Sequence, residues 1–67
     1  MAKVTLAGAR VSAGLTQKEL AEKMGVSRDS VMNWESGKTE IRVPNLILFC
    51  QMTGFDEDDI LLPKKST

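Results

Sequence analysis

The chain has 67 residues, 42% apolar and 27% charged, an ordinary globular composition that is neither disordered nor membrane-embedded. Nine Lys/Arg balance nine Asp/Glu, which excludes the broad basic footprint of a non-specific nucleic-acid binder. One cysteine, Cys50, and no histidine exclude an internal disulfide, a zinc site and a Cys–His catalytic pair. No apolar run approaches the roughly 18 residues that span a bilayer, and Met1-Ala2-Lys3-Val4 does not open a signal-peptide core. The expectation is a cytoplasmic chain with no membrane partner, folded as one domain over 1–67 with a core at about 5–62.

Glycine and proline punctuate the sequence at helix-sized intervals, and no β-branched alternation reaches strand length, so the expected class is all-α with five helices. A first helix over roughly 3–13 places Leu6, Ala9, Arg10 and Ala13 on one stripe and stops at Gly14. Gly8 inside it costs about 1 kcal/mol of helix propensity. Thr16-Gln17-Lys18-Glu19 matches the capping box, and Leu15 can staple onto Leu20. A second helix, 17–24, then turns Leu20, Ala21 and Met24 inward and ends at Gly25. Ser27 caps a third helix of roughly 28–36 with Val31 and Trp34 inward, ended by Gly37.

After the connector Lys38–Val43, Pro44 suits the first turn of a fourth helix over 44–53, with Leu46, Phe49 and Cys50 inward and Gly54 as its stop. Asp56-Glu57-Asp58-Asp59 then sets acids at the N-terminus of a short fifth turn containing Ile60, Leu61 and Leu62. Pro63 ends it, and the tail 63–67 is expected to fray. Residues 1–42 carry seven bases and five acids, whereas 43–67 carry two bases and four acids. The small positive excess of the first part is by itself weak reason to expect an anionic partner.

Residues 17–36, QKELAEKMGVSRDSVMNWES, hold two helices joined at a glycine turn too short for antiparallel packing, so they must cross steeply. Leu20, Met24, Val26, Val31 and Trp34 form the wedge between them, Ala21 is small where the helices approach, and Gly25 permits a positive φ. The outward arc of 28–36 holds Arg28, Asp29, Met32, Asn33 and Ser36 in place of the Glu and Lys of a bland solvated face. Short or forked polar groups of this kind suit base edges.

This pattern resembles the helix-turn-helix of the Cro and phage-repressor family, the XRE-like family. With Gln17 as the first motif position, the apolar fourth, eighth, tenth, fifteenth and eighteenth positions and the small fifth and ninth positions all match. The flanks Leu15-Thr16-Gln17 and Trp34-Glu35-Ser36-Gly37-Lys38 are similar as well, and the likeness covers about residues 5–62.

The resemblance implies a five-helix, lambda-repressor-like domain binding double-stranded operator DNA, with a recognition helix in the major groove. The implied base contacts are Arg28, Asp29, Met32 and Asn33. Arg28 suits guanine O6/N7. Asn33 suits adenine or a phosphate. Asp29 either accepts from cytosine N4, pre-orients Arg28 or supports the helix dipole, and Met32 with Ser30 can touch a thymine methyl. The implied backbone contacts are Gln17, Ser27, Lys38, Thr39 and Arg42, while Lys18 and Lys23 read as solvated. Arg10 and Glu35 stand where relatives carry a structural ion pair between the first and third helices.

The function expected is transcriptional regulation, a repressor of phage or mobile-element type acting by operator occupancy, with no catalysis, metal, cofactor or small-molecule ligand. Two copies are expected on DNA, meeting around Arg42–Asn45 and 55–62, with a free chain that can remain monomeric. The zero net charge, the acids at 56–59 and the short connector depart from the pattern, and no room is expected for an effector-binding or self-cleaving domain. The alternative is an antitoxin-like protein-interaction module using Ile60-Leu61-Leu62. No Ser–Lys or paired-carboxylate spacing supports an enzyme.

Overall fold

Capping residues delimit the helices of the computed structural model, which describes residues 3–63. Helix α1 (Leu6–Ser12) starts at Thr5, whose Oγ1 accepts the Gly8 N–H at 3.0 Å. Helix α2 (Gln17–Met24) opens with the full reciprocal box: Thr16 Oγ1 accepts the Glu19 N–H at 3.0 Å, and Glu19 Oε1 accepts the Thr16 N–H at 2.9 Å. The Thr16 N–H, and then its hydroxyl, hold the Glu19 carboxyl below its ordinary pKa.

Gly25 closes α2 with φ +73°, and the Val26 N–H donates back to the Ala21 carbonyl at 3.0 Å, the paired arrangement that ends a helix on a left-handed residue. Helix α3 (Arg28–Ser36) begins at Ser27, whose Oγ accepts the Ser30 N–H at 3.1 Å. Helix α4 (Val43–Thr53) carries Pro44 in its first turn and has no side-chain cap.

The core lies where α1, α2, α3 and α4 converge. Phe49, Leu6, Leu20 and Val31 are its largest fully enclosed side chains, and each such burial contributes about 1.5–3 kcal/mol. Ala9, Ala21, Met24, Trp34, Leu46 and Cys50 complete the faces turned inward by the helical periodicity. Two buried residues fall outside it: Ile41 in the connector after α3, and Ile60 near the end of the described chain. Ala13, expected on the inner stripe, is exposed beyond the end of α1. Burial pushes the Cys50 thiol pKa up, and the carboxylates of Glu57, Asp56 and Asp59 add to the shift. Cys50 is therefore a small, protonated core residue.

The five-helix expectation is corrected at both ends of the chain. Residues 3–5 are not helical. Val4–Thr5 form strand β1, which pairs in parallel with β2 (Ile60–Leu61), Val4 opposite Ile60 and Thr5 opposite Leu61. In place of a fifth α-helix there is one 3-10 turn at Glu57–Asp59. Between Gly54 and Pro63 the four consecutive carboxylates of Asp56–Asp59 repel one another, which opposes a helix there. An extended Ile60 instead enters the core while its backbone finds partners on β1. The domain among the described residues is therefore four α-helices, a 3-10 turn and a minimal strand pair. The expected fraying of the tail concerns mainly residues 64–67, which lie outside the described residues.

Gly37 meets two demands at once. Its φ is +82°, and a Cβ there would stand 3.0 Å from Pro63 Cβ. The end of the described chain is thereby seated against the exit of α3.

Candidate nucleic-acid interface

Turning Leu20, Ala21 and Met24 of α2 and Val31 and Trp34 of α3 into one core leaves a single shared outer face. On it Arg28, Asp29 and Met32 are exposed and Asn33 is half-buried. Met32, 41% exposed, is the only apolar member of this arc. Arg28 forms no ion pair within 4 Å among the described residues, and neither does Asp29. Asp29 lies in the first turn of α3, where the dipole favours an acid. The face thus presents a guanidinium and a carboxylate outward from the start of α3.

The expected backbone contacts fall in three places. Ser27 uses its hydroxyl internally, capping α3 and lying 3.0 Å from Ser30 Oγ. Lys38, Thr39 and Arg42 are exposed in the segment that leaves α3. The Lys38 N–H donates to Ser36 Oγ at 3.4 Å, and the Thr39 N–H to the Asn33 carbonyl at 3.3 Å, so this segment is fastened to the end of α3. Beside it an open cleft of about 510 Å³ is lined by Ser30, Trp34, Thr39, Glu40, Arg42 and Asn45. Asn45 and Glu40 are neighbours of this surface that the motif does not reveal, because they arrive from the connector and from α4.

Gln17 begins α2 at the opposite end of the face and is half-buried. Its Nε2 donates to Glu35 Oε1 at 3.0 Å. The same carboxylate binds Arg10 in the fork geometry that guanidinium and carboxylate share: Nε to Oε2 at 2.7 Å and Nη2 to Oε1 at 3.3 Å. Arg10 Nη1 donates to the Leu15 carbonyl at 2.8 Å. The side chains of Arg10 and Glu35 are only 14% and 9% exposed. The ion pair joins α1 to α3. Its extension to Gln17 is invisible in the sequence, because residues 17 and 35 share no periodic relation and meet only through the crossing of α2 and α3.

A family model described as helix-turn-helix matches residues 6–60. The chain belongs to the XRE-like helix-turn-helix family. This is a family of DNA-binding transcription regulators, typically non-enzymatic. The match covers every helix of the domain and extends through the 3-10 turn to Ile60. The chain significantly matches no curated protein and no solved structure. Among the described residues of this helix-turn-helix domain no helix is long and apolar enough to cross a membrane, and no group of three or more His, Cys, Asp or Glu is gathered for a metal ion.

Proposed function

We propose that this chain is a single sequence-specific DNA-binding domain, cytoplasmic and without catalytic activity, that represses transcription by occupying an operator, in the manner of phage or mobile-element repressors. The observation that carries the reading is the outer arc of α3, where Arg28 and Asp29 are exposed and, among the described residues, unpaired beside half-buried Asn33, above an apolar wedge. α3 lies in the major groove. Arg28, Asp29, Met32 and Asn33 address base edges, Arg28 as the bidentate donor to guanine. Gln17 grips phosphate at one end of the helix pair, and Lys38, Thr39 and Arg42 do so at the other. Ser27 contributes chiefly by fixing the start of α3.

Two copies bind one operator. The described residues extend 31 × 27 × 19 Å, while half-sites lie about 34–36 Å apart. Neighbouring copies therefore touch over a limited area, which fits a free monomer that pairs on DNA. Val43 is 64% exposed, and with Pro44 and Leu62 it forms an apolar surface flanked by Glu40 and Arg42. A two-fold axis through this surface sets acid against base, as a self-complementary contact requires.

Selection of bound duplexes from random DNA tests the reading. The expected result is enrichment of a two-fold repeated motif containing an invariant guanine in each half. No enrichment over the starting pool overturns it. A protein-interaction module is the second reading, favoured by exposed Leu61 and Leu62 beside an apolar hollow of about 450 Å³. It predicts binding that is independent of both salt and DNA sequence.

A further inference from the structure

One carboxylate lies at the junction of three elements. Glu35 belongs to α3, and it accepts hydrogen bonds from Arg10 of α1 and from Gln17, the first residue of α2. A carboxylate only accepts, so only the nitrogen end of the Gln17 amide can face it. The orientation of that amide is therefore fixed by chemistry. Glu35 is itself held from a second side: its side chain is 9% exposed and Arg10 donates to both of its oxygens. Gln17 thus begins α2 with its side chain already anchored to α3, without the rotamer freedom of a surface glutamine.

We infer that Glu35 is a positioning residue for DNA binding: through Gln17 it sets where the phosphate clamp at the start of α2 stands relative to the base-reading face of α3. The inference rests on the proposed role of Gln17 at phosphate. Arg28 and Asn33 reach particular base pairs only if the backbone is gripped in one register, so an anchored clamp contributes to placement as well as to affinity. The rotamer entropy of Gln17 is given up on folding, not on binding, which favours the complex. The Arg10–Glu35 pair accordingly has a second use besides joining α1 to α3: it holds the acceptor on which Gln17 is seated.

Two double variants separate positioning from fold maintenance. Arg10→Met/Glu35→Leu replaces the ion pair by apolar groups, an exchange that leaves many folds intact, and removes the acceptor for Gln17. Arg10→Met/Glu35→Gln also lacks the ion pair but keeps an amide oxygen that can accept from Gln17. The measurement is affinity for a duplex selected from random DNA, carrying a neutral methylphosphonate at one backbone position at a time. The phosphate whose neutralisation matters in the parent but not in Gln17→Ala is the one gripped by Gln17.

Arg10→Met/Glu35→Leu is expected to lose about tenfold in affinity and to lose sensitivity at that phosphate alone. Arg10→Met/Glu35→Gln is expected to recover part of both, because it restores an acceptor for Gln17 but not the Arg10 fork that holds it. Full sensitivity in the leucine variant, or an equal fall at every phosphate, overturns the positioning role while leaving DNA binding itself standing. A parent and Gln17→Ala with identical profiles overturn the clamp and the inference together. The unmodified protein supplies a check that does not depend on the variants folding. By ¹⁵N relaxation without DNA, the Gln17 side-chain amide should be rigid and that of exposed Gln51 mobile. Equal mobility of the two overturns the inference.

Discussion

The α2–α3 half and the assembly of β1, the 3-10 turn and β2 are built by different means. In α2–α3 each boundary is set within a few residues of itself: the Thr16–Glu19 box, the left-handed Gly25, the Ser27 cap, the left-handed Gly37. The other region has a two-residue parallel pairing between opposite ends of the chain and a 3-10 turn without a side-chain cap. The first is specified locally and the second only by tertiary contact. Local specification suits the half proposed to meet DNA, since its shape depends least on the rest of the molecule. The distant pairing serves to close the core and to fix the ends.

The Arg10–Glu35 pair ties α3 to α1, the helix that follows β1, and breaking it has the largest expected effect. Arg10→Met or Glu35→Leu alone should destabilise the domain by about 3–5 kcal/mol, because each strands a largely buried charge. The double variant should melt near the parent. Thermal unfolding of the three proteins decides the matter. Losses below about 0.5 kcal/mol in both single variants would place the pair among weak surface ion pairs.

The recognition face should show the converse behaviour, altering binding and leaving stability alone. Arg28 is exposed and has no ion-pair partner among the described residues, so Arg28→Ala should shift the melt by no more than about 0.5 kcal/mol. On the best operator it should cost about 1–3 kcal/mol and relax preference at a single guanine. Asn33 stands five residues further along, roughly 7.5 Å of helix rise, and Asn33→Ala should cost less and act at a neighbouring position or a phosphate. Asp29→Ala is the control. If Asp29 serves only the helix dipole, specificity stays unchanged and affinity rises. Site-selection profiles of the three variants make the comparison. Parent-like affinity and preference for Arg28→Ala would remove α3 from the base-reading role.

The same contrast explains what the sequence makes legible. The bounds of α2 and α3 can be read directly, because Thr16, Gly25, Ser27 and Gly37 act on their own neighbours. The inward faces of α2, α3 and α4 follow from helical period. The start of α1 at Leu6 is not legible, since Thr5 is at once its cap and part of a strand whose partner is Leu61. Ile41 and Ile60 escape periodicity because neither sits in a helix. At the candidate site the exposed arc of α3 is readable from the wheel, whereas the seat of Gln17 on Glu35 is not, because it exists only once α2 and α3 have crossed.

The cap of α2 offers the finest test of local specification. Thr16→Ala should cost about 1 kcal/mol, as for other helix caps. Thr5→Ala should cost a similar amount at the start of α1, where the hydroxyl receives the Gly8 N–H in the same way. The two caps differ in charge: α1 has no acid in its first turn, whereas α2 has Glu19 accepting the Thr16 N–H. That bond lowers the folded-state pKa of Glu19, so its contribution is present above the ordinary glutamate value of about 4.5 and is lost as pH falls through the lower folded value. Glu19→Gln keeps an oxygen for the Thr16 N–H but cannot titrate. The parent should therefore be slightly more stable than Glu19→Gln at neutral pH, with the difference closing as the solution is acidified below about 4.5. Thr5→Ala should run parallel to the parent throughout that range. Denaturant unfolding at a series of pH values reads all three curves. A Glu19→Gln curve parallel to the parent's down to pH 3 would mean that the box contributes geometry and no charge, leaving the α2 and α1 caps equivalent.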